Sequence, residues 1–168
     1  VWGRLDHFLQ QKRKRGELIV GVLGCMAERV KEKLLEHPVV NIVAGPDTYR
    51  KLPEMIRDLQ SEPKQMDIRL SRHETYADIT PVRTDKNGVS AYISIMRGCN
   101  NMCTYCIVPY VRGSERSRDP HSIVKEARDL FESGYREVNL LGQNVDSYLW
   151  VDPENPTETT DFAQLIEL

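Results

Sequence analysis

Long apolar runs are missing from this sequence. None approaches the roughly 20 residues that a membrane-crossing helix needs, so no membrane partner is expected. Nor is there a surplus of either charge. Lys and Arg number 23 against 25 Asp and Glu, a formal net charge of −2, so no global basic field announces nucleic acid and only a local patch is left to do so. Cysteine is scarce as well, but unevenly so. Three of the four cysteines fall within eight residues, which favours metal or redox use over a disulfide framework. The start, Val1-Trp2-Gly3-Arg4-Leu5-Asp6, has no initiator Met and no signal-peptide pattern. The end, Leu165-Ile166-Glu167-Leu168, stops inside an amphipathic helical pattern. The expectation is an internal segment of a cytoplasmic protein, long enough for one domain or pieces of two.

The three crowded cysteines are Cys99, Cys103 and Cys106, at spacing Cys-x3-Cys-x2-Cys. Three thiolates fill neither a tetrahedral zinc site nor all four irons of a [4Fe–4S] cluster. A cluster held here leaves one iron open to a small molecule carrying an amine and a carboxylate. A zinc site would need a distant fourth ligand, and His121 is the nearest downstream histidine. No second Cys-x-x-Cys or His-x-His pair supports it. Buried, unligated thiols are the remaining reading.

The rest of the chain reads as alternating elements. Trp2, Leu5, Phe8 and Leu9 keep helical spacing, and Gly16 closes that helix after the basic run Lys12-Arg13-Lys14-Arg15. The run is either a solvated basic turn or an RNA contact. Residues 18–23 and 39–45 are short, β-branched apolar runs of the kind buried in parallel sheets. Helices are expected over 28–36 and 48–60, the latter with Tyr49, Leu52, Ile56 and Leu59 inward. This is the tail of a doubly wound α/β domain. Cys25 follows the first of these strands, where such sheets place ligands, although a lone cysteine there is more often a small buried residue. Residues 61–90 are polar, with Pro63, Pro81 and an Asn87-Gly88 turn, and read as a linker holding at most an extended piece at 67–70. His73 and Glu74 have no spaced ligand partners and read as surface residues.

Residues 91–96 are the next strand and deliver the cysteine loop at its C-terminal end, the catalytic face of an α/β barrel. Gly98 before Cys99 permits a tight turn there. Four arginines, Arg97, Arg112, Arg116 and Arg118, flank the loop. They read either as salt-bridge partners or as phosphate contacts. Asp119-Pro120 starts a helix with a cap and a first-turn proline. Its apolar positions are Ile123, Val124, Ala127, Leu130 and Phe131, and Gly134 ends it. Residues 136–141 form a second strand, completing a βαβ unit. A Pro/Thr/Glu-rich loop follows Trp150, and another helix opens at Asp161.

The spacing Cys99-x3-Cys103-x2-Cys106, with Tyr105 before the third cysteine, resembles the radical S-adenosylmethionine (radical SAM) superfamily. The longer run Ile95-Met96-Arg97-Gly98-Cys99, then Ile107-Val108-Pro109-Tyr110-Val111-Arg112-Gly113 and Arg116-Ser117-Arg118, resembles its methylthiotransferases. Leu23-Gly24-Cys25-Met26-Ala27 is similar to the third cysteine motif of that family's N-terminal domain. The resemblance implies a domain layout: residues 1–62 end the N-terminal domain, 63–90 link, and 91–168 begin a radical SAM (β/α) partial barrel. It implies two [4Fe–4S] clusters, one on Cys99, Cys103 and Cys106, and an auxiliary one using Cys25 with two cysteines outside this chain. It also implies S-adenosylmethionine, with Tyr105, Gln143 and Asn144 as contacts, although loop-capping amides are an equal reading of the last two.

Leu140-Leu141-Gly142-Gln143-Asn144-Val145-Asp146-Ser147-Tyr148 resembles the branch that modifies isopentenyl-adenosine in tRNA. The activity implied is methylthiolation at C2 of that base. A deoxyadenosyl radical takes the hydrogen, sulfur comes by way of the auxiliary cluster, and a second S-adenosylmethionine gives the methyl group. The implied partners are tRNA, touched by Arg112, Arg116 and Arg118, and a low-potential donor such as flavodoxin or ferredoxin. A monomer is expected, and no turnover from residues 1–168 alone. Two other readings stay open: a branch acting on threonylcarbamoyl-adenosine or a ribosomal protein, and a structural zinc module.

Overall fold

The computed structural model describes residues 1–79, 81–83 and 88–168. Asn87 of the expected Asn87-Gly88 turn lies outside them. Contacts divide the chain into two compact units, Val1–Ser71 with Tyr110–Arg112, and Arg72–Pro109 with Gly113–Leu168.

The first unit is built on a three-stranded parallel sheet of β1 (Gly21–Leu23), β2 (Ile42–Ala44) and β3 (Gln65–Asp67), in that order. Gly21 pairs with Ile42, and Ile42 with Gln65. All three residues of β2 are buried, as a central parallel strand requires. Helix α1 (Trp2–Arg15) ends where Gly16 turns left-handed and donates its N–H to the Lys12 carbonyl. Leu5, Ala27, Leu34, Val39, Val40 and Val43 make the core.

Four expectations change here. The helix over 28–36 is two, α2 (Cys25–Val30) and α3 (Glu32–Leu35), broken at Lys31, whose φ is +55°. The helix over 48–60 opens as a 3-10 turn at Tyr49–Lys51 and becomes α4 (Leu52–Asp58) only where Pro53 fixes the first turn. The inward face also differs from the expected one. Met55 is buried and Leu52 and Leu59 pack beside it, whereas Ile56 is 48% exposed. The polar stretch after residue 62 supplies β3, so the first unit runs on to Ser71.

The second unit holds the expected βαβ arrangement. β4 (Ser90–Ser94) pairs parallel with β7 (Glu137–Leu141), Ser90 opposite Glu137 and Ser94 opposite Leu141. Between them runs α6 (Pro120–Glu132). The Asp119 carboxylate caps it by accepting from the His121 and Ser122 backbone N–H groups. Ile123 and Leu130 of α6 meet Ala91 and Ile93 of β4 and the following Ile95 in one core with Tyr135, Tyr148 and Leu165. Phe131 does not join it: the ring is 64% exposed, with the Arg136 guanidinium 4.6 Å above it. The segment after Trp150 is not all loop. β8 (Leu149–Val151) and β9 (Thr159–Asp161) pair antiparallel and lead into α7 (Phe162–Glu167). The side chains of Asp161 and Gln164 form a reciprocal capping box there. Among the described residues no helix is long and apolar enough to cross a membrane.

Candidate functional site

After β4 the chain kinks and forms β5 (Met96–Arg97), which leaves the parallel sheet to pair antiparallel with β6 (Arg116–Ser117). This two-residue ladder is the stem of the cysteine loop. Gly98 follows at φ +77°, and a Cβ there would stand 2.0 Å from the Ser114 carbonyl oxygen. The turn therefore needs glycine both for its φ and for the closeness of the two backbones.

Three successive amides then meet three fixed acceptors. Gly98 N–H donates to Gln143 Oε1 at 2.7 Å. Cys99 N–H donates to the Gly113 carbonyl at 3.2 Å. Asn100 N–H donates to Glu115 Oε1 at 3.2 Å, and Glu115 N–H returns a bond to Asn100 Oδ1 at 3.1 Å. The side chains of Asn100 and Glu115 thus continue, by proxy, a ladder that the backbones have left. Asn144 Nδ2 reaches the same Glu115 oxygen at 3.5 Å, the outer limit of such a bond. Gln143 and Asn144 come from the end of β7. Gly142 permits that approach, since a Cβ there would lie 2.4 Å from Met96 Cγ.

The loop carries its three cysteines in graded exposure. All are free thiols, Cys99 buried, Cys106 partly so and Cys103 exposed. Met102 between them sits at φ +48°, and Cys106 N–H closes a turn on the Cys103 carbonyl at 2.9 Å. Tyr105 is 91% exposed, so its ring is presented outward from the loop. The loop ends in a short helix that its sequence did not signal, α5 (Val108–Arg112), with Pro109 in its first turn.

The flanking arginines divide. Arg118 is buried and commits its guanidinium internally: to Glu126 at 2.6 Å, to the Ser122 hydroxyl at 2.9 Å and to the Ala77 and Ser122 carbonyls. Arg83 reaches the other Glu126 oxygen at 2.8 Å. The salt-bridge reading, not the phosphate one, is the geometry Arg118 adopts. Arg116 is buried too, and the Arg97 guanidinium lies 4.7 Å over the Tyr76 ring. Of the three arginines expected at RNA, only Arg112, half-buried at the end of α5, keeps surface exposure. Below this layer Tyr148 donates its hydroxyl to the Arg118 carbonyl at 2.7 Å. Burial, with the nearby Asp119 charge, pushes that phenol far up. A cavity of about 590 Å³ is walled by Ala77, Ile79, Pro81, Arg118, Ser122 and Glu126, with no cysteine among its described lining residues.

Cys25 stands in the first unit, half-buried at the start of α2. One turn on, Glu28 is buried, its Oε2 without a hydrogen-bond partner and its Oε1 3.8 Å from Lys31. Burial pushes its carboxyl above the ordinary value of 4.5.

Residues 93–166 match the model of the Radical SAM superfamily. The tRNA-2-methylthio-N(6)-dimethylallyladenosine synthase of Amoebophilus asiaticus (strain 5a2) is 58% identical over 98% of this chain and 36% of its own length. The synthases of the same name from Bacteroides fragilis (strain YCH46) and Azobacteroides pseudotrichonymphae are 52% and 50% identical over 100% of this chain, again 36% of their own length. The chain belongs to the radical SAM methylthiotransferase family. It spans about a third of the length of the curated relatives it matches.

Membership implies iron–sulfur chemistry and S-adenosylmethionine, and the donor set suits it. Three free thiols stand on one loop at the mouth of a parallel strand pair, one buried and two reachable. A zinc ion would need four donors gathered within about 2.0–2.3 Å of one point. Among the described residues no three His, Cys, Asp or Glu side chains, the three loop thiols included, are grouped about a single ion position. His121 is exposed at the start of α6. Glu115 is the residue that sequence reasoning passed over. One signal marked it: it is the only acidic residue between Arg97 and Arg118, among four arginines.

Proposed function

We propose that the protein carrying this chain methylthiolates C2 of N6-isopentenyladenosine in tRNA by radical S-adenosylmethionine chemistry. The observation that carries this reading is the identity of 50% or more, across nearly the whole chain, to synthases named for that product. The first unit is read as the end of a doubly wound domain and the second as the opening of a (β/α) partial barrel. The parallel order β1-β2-β3 and the parallel β4–β7 pair support both assignments.

In this reading Cys99, Cys103 and Cys106 hold a [4Fe–4S] cluster, and Cys25 contributes to a second. When bound, the loop cluster supplies the electron that cleaves S-adenosylmethionine. The chain's own residues position and screen. Cys99 anchors the buried side of the loop, and the exposed Tyr105 ring offers a flat apolar face to the cofactor. Arg112 is the arginine left to meet RNA phosphate. Gln143 and Asn144 act on the loop rather than on the cofactor, since their amides already reach Gly98 and Glu115. The reductant is a low-potential protein donor, the protein works as a monomer in the cytoplasm, and this chain by itself is inactive.

The test is anaerobic iron and sulfide reconstitution of the full-length protein. Iron is counted for the parent and for the Cys99→Ala/Cys103→Ala/Cys106→Ala variant. About eight irons falling to about four is the expected result, followed by methylthiolation of isopentenylated tRNA by the parent alone. Bound zinc, or an iron count the variant leaves unchanged, would overturn the reading.

A further inference from the structure

The three amides around Cys99 carry an inference that rests on the cluster reading above. Hydrogen bonds to a cluster's sulfur atoms are one of the settings of its reduction potential, and such bonds raise it by stabilising the more negative, reduced state. Backbone N–H groups beside a ligating cysteine are the natural donors. Here those of Gly98, Cys99 and Asn100 are all committed elsewhere. One acceptor is backbone, the Gly113 carbonyl. The other two are side chains brought from a distance: Gln143, 45 positions along the chain from Gly98, and Glu115, 15 from Asn100. An N–H aimed at an oxygen 2.7 Å away does not also serve a sulfur on another bearing.

We infer that Gln143 and Glu115 are positioning residues that hold the Gly98 and Asn100 amides away from the sulfur atoms of the loop cluster, and so keep its potential low. Glu115 acts twice, through its acceptor oxygen and through its charge. The two can be separated, because glutamine keeps the oxygen and loses the charge, whereas methionine loses both at similar length.

The experiment is a mediated redox titration of the reduced-cluster paramagnetic signal, without S-adenosylmethionine. It uses the full-length protein in a Cys25→Ala background, which leaves the loop cluster as the one observed. Relative to that background Q143M frees the Gly98 amide with no change of charge. E115M relative to E115Q frees the Asn100 amide, again at constant charge. Each pair should differ by at least about tenfold in the reduced-to-oxidised ratio at a fixed poise, the methionine variant being easier to reduce. For a one-electron couple that is a positive shift of about 59 mV.

Coincident potentials within each pair would overturn the inference. So would failure of both methionine variants to hold about four irons, since the side chains would then be retaining the cluster rather than tuning it. If only one loads, the pair that contains it decides. The iron count of the triple-cysteine variant keeps the two questions apart: if it equals the parent's, the cluster reading itself has failed and takes this inference with it.

Discussion

Replacing Gly98 by alanine tests whether the cysteine loop is shaped by its backbone alone. Two costs are expected. The left-handed φ of +77° disfavours any side chain, by about 1 kcal/mol net once the stiffer unfolded chain is counted. The second cost is steric. The new Cβ would meet Ser114 O at 2.0 Å, Ser114 C at 2.5 Å and Gly113 O at 2.6 Å. These are backbone atoms, the Gly113 carbonyl being held by the Cys99 N–H, so they cannot rotate away as a side-chain tip would. Overpacking of that kind costs about 3 kcal/mol, giving about 4 kcal/mol in all. Gly134 supplies the control: its φ is +99° and nothing lies within 4 Å of where a Cβ would stand, so Gly134→Ala should cost about 1 kcal/mol. The assay is urea unfolding of metal-free, reduced full-length protein, followed by hydrogen exchange in peptides covering residues 91–140. Equal destabilisation by the two alanines would refute the steric argument and leave φ as the sole reason for Gly98.

Three other outcomes follow from the same structure. Glu126→Ala strips the buried Arg118 of its carboxylate at 2.6 Å and Arg83 of its own at 2.8 Å, and should destabilise the second unit by about 3 kcal/mol; a loss below about 1 kcal/mol would mean that solvent screens the pair. In the first unit two carboxyls have opposite signs. Asp67 is held well below its ordinary value of 3.8, first by the Arg69 hydrogen bond and then by Lys51, so its contribution is present above that value and fades as pH falls through the depressed folded one. Asp67→Asn should therefore flatten the acid limb of stability. Glu28, raised by burial, loses stability as pH climbs above its unfolded value of 4.5, so Glu28→Gln should stabilise at pH 7 and not at pH 3. Urea midpoints at the two pH values check both, and parallel shifts would refute the assignment. Arg112→Ala should weaken tRNA binding and make the log–log salt slope shallower by about 0.7–0.9; an unchanged slope would remove Arg112 from the interface.

What the sequence determined by itself was whatever depends on neighbours along the chain. The spacing of Cys99, Cys103 and Cys106 puts three thiols on one loop wherever the loop goes. The β-branched run 39–45 becomes β2, buried at every position as expected, whereas the run 18–23 yields a β1 whose Gly21 and Leu23 stay exposed. Asp119 caps α6 through its own following amides, and Gly16 and Gly134 stop helices by adopting left-handed φ. The choices that needed tertiary structure are those made between distant segments. Met55 rather than Ile56 faces inward because Ile42 and Ala44 of β2 pack against that side of α4. Arg118 is an internal ion-pair partner because Glu126, Ala77 and Ser122 close over it. Gln143 and Glu115 were visible as polar residues, but their role was not, because an amide or carboxylate declares its function only by the donor it meets. Here those donors are the backbone of the cysteine loop, brought to them by the parallel pairing of β4 with β7 and the antiparallel stem that follows.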